Sequence, residues 1–210
     1  MVKKFASMLD VDASNYEKII RILENNGFDG LHLDVMDGHF VKNFAFGPQI
    51  IKSLRRVTNL AFNVHLEIEN PGEYLDMFID IGCNIITIHP QTSKNVERDL
   101  RYIKARGVSS SIAIDPDIKV SFIEKYLPLI DNIIVLCVYP GFGKQKFIKK
   151  SLQKIKKVKE IINKNKFDIS ISVDGSINKE TAKLVIEHGA NILIYGSGMF
   201  EIIKFTEHNQ

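Results

Sequence analysis

The chain has little of several things that would narrow its class at once. Among 210 residues it has two cysteines, Cys83 and Cys137. They are too far apart for a metal knuckle or a redox pair, so they read as buried thiols of a protein kept in a reducing, cytoplasmic compartment. No apolar run approaches the roughly 18 residues of a membrane span. The basic start at Lys3 and Lys4 is followed by only a short apolar stretch that Asp10 and Asp12 interrupt, so a signal peptide is not expected. Charge of one sign is also scarce: the net charge is +3. That is too little to argue for nucleic acid, although an anionic small molecule needs only a local positive site. Low-complexity tracts and linkers are missing, and so is a Gly-rich dinucleotide fingerprint in the first loop.

What is present is a regular alternation. Short apolar runs rich in Ile and Val lie at 4–8, 30–36, 61–68, 84–90, 110–115, 132–139, 168–174 and 191–196. They have the composition of buried parallel strands. Amphipathic helical patterns lie between them, at 15–26, 48–57, 71–81, 95–106, 120–127, 149–163 and 179–188. Gly27, Gly82, Gly107 and Gly189 stand where C-terminal stops are expected. Eight βα units in a chain of this length predict one α/β domain, a closed (β/α)8 TIM barrel spanning 1–210, rather than an open doubly wound sheet. The lysine-dense stretch 146–166 carries Ile148, Leu152, Ile155, Val158 and Ile162 at helical spacing, so it reads as the solvated face of an amphipathic helix.

The chemistry lies in the polar side of three strands. Strand residues i and i+2 face the same way. His32, Asp34 and Met36 therefore share one face, Asn63, His65 and Glu67 another, and Asp174 ends the polar side of a third. In a barrel the outer face must be apolar, whereas the inner face can carry function at the C-terminal mouth. Two imidazoles and two carboxylates brought together there suit one divalent metal, Zn²⁺, Mn²⁺ or Fe²⁺. The competing reading makes each a hydrogen-bonded polar residue of the barrel interior. Glycine turns at Pro140-Gly141-Phe142-Gly143, Asp174-Gly175-Ser176 and Gly196-Ser197-Gly198 could bring backbone N–H groups to a phosphate.

These segments carry a family resemblance. Residues 31–43 (LHLDVMDGHFVKN) resemble the signature of ribulose-phosphate 3-epimerases. Val64-His65-Leu66, Glu69-Asn70-Pro71, residues 138–147 (VYPGFGKQKF), Val173-Asp174-Gly175 and Gly196-Ser197 follow in the family's order. The resemblance implies that His32, Asp34, His65 and Asp174 bind the metal and that Asp34 and Asp174 are the acid/base pair. Substrate contacts are implied for Ser7, Met36, His65, Gly141, Phe142, Gly143, Lys144, Gly175, Ser176, Gly196 and Ser197. A sugar phosphate as the small-molecule partner and a homo-oligomer are implied as well.

The chain also departs from the family pattern. Glu67 stands at a methionine position, as a possible extra active-site residue; Lys144 and Ser176 stand at glycines, Leu136 at a methionine, Asp10 at a serine, and 115–118 (DPDI) where Asn-Pro-Gly-Thr is common. Ser176, with His89-Pro90-Gln91-Thr92 and residues 196–200, is also similar to allulose-6-phosphate 3-epimerases. The expected reaction is 3-epimerisation of a ketose phosphate, with ribulose 5-phosphate first and allulose 6-phosphate as the alternative. A non-catalytic sugar-phosphate binder is the rival from another class.

Overall fold

The structure, a computed structural model, describes residues 2–203. Eight parallel strands close on one another: β1 (Lys3–Ser7), β2 (Gly30–Asp37), β4 (Ala61–Glu67), β5 (Ile85–Ile88), β6 (Ser109–Ile114), β7 (Asn132–Leu136), β8 (Ser170–Asp174) and β9 (Ile192–Tyr195). Closure comes from β1, which pairs with β2 on one side and β9 on the other. The remaining strand, β3 (Phe44–Ala45), is a two-residue antiparallel addition to the end of β2 that the alternation did not reveal. It is too short to show a period.

Helices α1 (Tyr16–Asn25), α2 (Pro48–Arg55), α3 (Leu75–Ile79), α4 (Val96–Ala105), α5 (Lys150–Lys164) and α6 (Lys179–Glu187) wrap the outside. Two of the eight positions are taken by 3₁₀ helices, Val120–Leu129 and Ser197–Glu201. The first was expected to be a helix over 120–127; it runs to Leu129 with Pro128, which has no N–H to donate, inside it. Gly27, Gly82, Gly107 and Gly189 all have positive φ at the ends of helical segments, as a left-handed stop requires. Along α5, Ile155, Val158 and Ile162 are buried and most lysines lie outward, the solvated amphipathic face, while Lys154 turns in to donate to the carbonyls of Asp115, Pro116 and Ile118.

The chain has two apolar layers. The larger fills the space between barrel and helices and contains the outward residues Leu31, Leu33, Val64, Leu66, Ile86, Ile88, Ile133, Val135, Ile171 and Val173. A smaller cluster, Phe5, Ala113, Ile134, Leu136, Ile192 and Ile194, lies inside the barrel. The rest of the interior is polar, and most of its groups below the mouth pair with one another, Asn63 Nδ2 being an exception. Thr87 Oγ1 donates to Asn63 Oδ1 at 3.2 Å, Asn132 Nδ2 to Ser111 Oγ at 2.9 Å, and Ser172 Oγ to Asn132 Oδ1 at 2.8 Å. Among the described residues no helix is long and apolar enough to cross a membrane.

Candidate active site

Strand register brings the polar faces together. Ser7 pairs with His32 across β1 and β2, while Asp34 pairs with His65 and Met36 with Glu67 across β2 and β4. His32 Nε2 lies 3.0 Å from Asp34 Oδ1 and 3.8 Å from Asp174 Oδ2. His65 Nδ1 lies 3.2 Å from the same Asp34 oxygen and 3.5 Å from Glu67 Oε1. Ser7 Oγ donates to the other oxygen of Asp34 at 3.1 Å.

The hydrogen-bonding account separates this cluster from the paired polar residues beneath it. Both ring nitrogens of His32 are buried without a hydrogen-bond partner, although Nε2 is 3.0 Å from a carboxylate. The nitrogen and the oxygen are close but are not aimed at each other. Burying such groups unpaired is costly. One ligand atom from each of His32, Asp34, His65 and Asp174 lies within 4.8 Å of the others. An ion with bonds of about 2 Å bridges that span with small side-chain adjustments. The donor set and its orphaned nitrogens therefore fit a divalent metal. A second trio, His65, Glu67 and His89, has similar spacing, but its two imidazoles already engage each other at 2.8 Å.

The electrostatics are those of too many carboxylates in a buried space. Burial opposes charge on Asp34, but His32 and then His65 outweigh it and hold this carboxyl well below the usual range. Asp174 is pushed up to about 6, first by burial and then by Asp34, with His32 opposing. Burial also raises Glu67 well above its ordinary value, and Asp34, Asp174 and Asp115 add to it. Burial opposes a proton on His32, yet Asp34 and Asp174 raise it. His65 is pushed down to about 4, mainly by burial. A cation would relieve this mutual repulsion and release protons as it bound.

Above the cluster opens a cavity of about 540 Å³. It is lined by Ser7, Met36, Gly141, Phe142, Gly143, Lys144, Gly175, Ser176, Gly196 and Ser197, together with Asp34, Asp174 and Glu67. His65, expected to touch substrate, is fully buried behind the lining. Gly175 has φ +107°, and a Cβ on it would press into Val138. A Cβ on Gly198 would lie 2.0 Å from the Ile177 carbonyl oxygen, so this turn packs backbone on backbone. Lys144 and Ser176 hold left-handed φ values of 58° and 55° without being glycine. The Ser176 hydroxyl donates to the Gln145 carbonyl. Asn178 caps α6 by accepting from Glu180 N and Thr181 N, which leaves the turn before the helix, rather than the helix end, to face the cavity.

Several cavity residues had no sequence signal of their own. Leu9, Ile177, Asn178 and Glu201 line it because loops from different units meet there, beside Asp10, Tyr139 and Gln145, which the sequence marked only through the family resemblance. His89 could have been found, since it continues the inward parity of Ile85 and Thr87 on β5.

The chain matches the family described as "Ribulose-phosphate 3 epimerase family" over residues 4–200. A ribulose-phosphate 3-epimerase of Bacillus subtilis is 42% identical over 201 residues, 95% of this chain and 93% of that protein. One from Treponema pallidum is 34% identical, over 92% of this chain and 89% of that protein. The chain belongs to the ribulose-phosphate 3-epimerase family. It is therefore an epimerase of a sugar phosphate. More distant structures share the barrel alone. A tryptophan synthase α-subunit of Pyrococcus furiosus superposes with TM-score 0.70 at 12% identity, over 96% of this chain and 91% of that one. Phosphoribosyl anthranilate isomerase of Thermus thermophilus gives 0.66 at 10%, over 93% and 88%.

Proposed function

We propose that this epimerase interconverts D-ribulose 5-phosphate and D-xylulose 5-phosphate, a pentose phosphate pathway step, by moving the C3 proton through Asp34 and Asp174. The observation that carries the reading is the approach of both carboxylates to one imidazole, His32, under a cavity rimmed by glycine turns. The names of the relatives, ribulose-phosphate 3-epimerases, support the five-carbon substrate.

A 2-ketose has an acidified C–H at C3, next to its carbonyl. Inversion requires a proton taken from one face and another returned on the opposite face, which a single base does poorly. Asp34 comes from β2 and Asp174 from β8, with β1 and β9 between them, so they reach the cavity from two sides. One serves as base while the other delivers a proton, and the roles exchange with the direction of reaction. Ser7 orients Asp34 through its hydrogen bond. Met36 covers the reacting carbons with apolar surface. The turns at 141–144, 175–176 and 196–197 hold the phosphate end, with Lys144 adding charge.

His32, Asp34, His65 and Asp174 would hold one divalent ion, Zn²⁺, Mn²⁺ or Fe²⁺, and when bound it supplies Lewis acidity beside the substrate carbonyl. Glu67 takes a cap position over the same floor. A cytoplasmic location and a homo-oligomeric state belong to this reading. The location is supported by Cys83 and Cys137, buried free thiols whose pKa values burial pushes up to about 12.

The test is isotopic. Turnover of ribulose 5-phosphate in deuterated water is expected to place deuterium at C3 of the product, and Asp34→Asn and Asp174→Asn each to abolish turnover with the fold intact. Full retention of the substrate proton overturns the two-base scheme. Allulose 6-phosphate run alongside is expected to give the lower kcat/KM, and the reverse order reassigns the substrate.

A further inference from the structure

Residues 139–145, in the loop after β7, line the cavity, and side chains hold the carbonyls of this loop. Gln145 Nε2 donates to Tyr139 O at 2.6 Å and to Phe142 O at 2.7 Å. Asn43 Nδ2, 98 positions away in the chain, donates to Gly141 O at 2.8 Å. The Ser176 hydroxyl, from the turn after β8, donates to Gln145 O. The orientation of the Gln145 amide is set by the same contacts, because with its oxygen turned the other way it would face two carbonyl oxygens. None of these three side chains has a part in the proton transfer.

The amides of the same segments are left open. The backbone N–H groups of Gly143, Lys144 and Ser176 have no hydrogen-bond partner among the described residues. The peptide bonds are trans, so each carbonyl points opposite to the N–H of the next residue. Holding Phe142 O toward Gln145 therefore turns the Gly143 N–H away from Gln145. Holding Gly141 O toward Asn43 turns the Phe142 N–H away from Asn43. With its acceptors engaged, the loop offers donors, which is the polarity of an anion-binding turn. Side-chain charge alone does not supply it, since Asp10 and Glu201 line the same cavity as Lys144.

We propose that Gln145 and Asn43 are positioning residues for the substrate phosphate: they hold the carbonyls of the loop back so that its amides are set for the phosphate before the substrate arrives, and Ser176 fastens this loop to the turn after β8. The proposal rests on the reading of the glycine turns as the phosphate end of the cavity. A loop already in its bound conformation gives up less affinity to ordering than one that must be fixed on binding. Asn43 does not line the cavity, so its effect on a ligand there passes through Gly141. The Ser176 hydroxyl is spent on Gln145 O, which leaves the Ser176 amide as this residue's donor to a ligand.

The test is calorimetric titration of the full chain with inorganic phosphate, alongside KM and kcat for ribulose 5-phosphate and a thermal unfolding midpoint for each variant. Gln145→Met keeps the length and loses the donor; Asn43→Ala removes the second one. Each is expected to weaken phosphate binding about 3–10-fold, the worth of one hydrogen bond, and to raise KM by a similar factor with kcat little changed. A purely structural role would lower the unfolding midpoint and leave phosphate affinity and KM unchanged. Phosphate affinity and KM matching wild type in both variants overturn the proposal and leave the epimerase reading standing. An effect in Gln145→Met alone makes that side chain a direct phosphate ligand and overturns the proposal as well. If the wild-type protein turns over a different sugar phosphate in place of ribulose 5-phosphate, the substrate assignment falls, and weakened phosphate binding in the two variants still upholds the proposal. A wild-type protein that binds no phosphate overturns the phosphate end of the cavity, and the proposal with it.

Discussion

At the scale of single residues, this chain differs from its family's pattern where side chains face the cavity. Glu67 is buried, and its Oε2 has no hydrogen-bond partner among the described residues. An unsatisfied buried polar atom costs about 1–3 kcal/mol. Glu67→Met, close in length, is expected to raise the stability of the metal-free protein by about that amount and to leave bound metal and turnover in place. Chemical denaturation and metal analysis check both halves; loss of metal in the variant would make Glu67 a ligand. Lys144 presents the opposite balance. It is exposed and sits at φ 58°, a conformation that costs a non-glycine residue about 1–2 kcal/mol. Lys144→Gly is expected to stabilise the fold by about 1 kcal/mol and to raise KM for the sugar phosphate by removing a cation from the cavity wall. An unchanged KM would mean that the lysine plays no part in holding the phosphate.

At the scale of elements, the turn after β9 and the turn after β8 are built against each other. Gly198 sits so close to the Ile177 carbonyl that a Cβ would meet it at 2.0 Å, and the atom in the way is backbone that cannot swing aside. Gly198→Ala is expected to displace the 3₁₀ helix Ser197–Glu201, to weaken substrate binding at least tenfold in KM and to lower the unfolding midpoint. A variant with wild-type KM would show that these turns do not hold the phosphate. Strand β4 shows why the site tolerates so much polarity. Its inner face carries Asn63, His65 and Glu67, and its outer face Phe62, Val64 and Leu66, all three fully buried against helices. Leu66→Ala is expected to cost about 2–5 kcal/mol without changing the ligand set, a stability loss readable by denaturant titration.

At the scale of the whole molecule, the four proposed ligands come from three strands held by one closed barrel, so the proposed metal binding would be linked to folding. The unfolded chain cannot present His32, Asp34, His65 and Asp174 together. A ligand at 1,000 times its Kd stabilises by about 4 kcal/mol. For a chain of this size that shifts Tm by on the order of 10 °C. Adding Zn²⁺ or Mn²⁺ to the metal-free protein is expected to give a shift of that order and EDTA to reverse it, as followed by calorimetry. Asp174→Asn should shrink the shift. An equal shift in that variant would place the ion elsewhere. The family also implies self-association, and sedimentation at micromolar concentration is expected to show a species larger than one chain.

The amino-acid sequence by itself determined the eight barrel strands and the face each side chain takes on them. Period-two alternation is set by local backbone geometry, and it held for β2, β4 and β8, where His32, Asp34, His65, Glu67 and Asp174 all lie on the inner side. The turns at Gly141 and Gly175 and the helix stops were legible for the same reason, because positive φ is a local demand. Only the tertiary structure decided which inward polar residues are spent on one another. Asn132 and Ser172 are satisfied by hydrogen bonds, while the ring nitrogens of His32 are not, and parity along a strand treats them alike. It also decided that His89 backs His65, that Gln91 meets His89, and that Asn178 caps α6 and leaves the preceding turn to the cavity. Those distances depend on how strands are staggered around a closed barrel. That stagger is fixed by pairing between strands far apart in the chain, and no short stretch of sequence contains it.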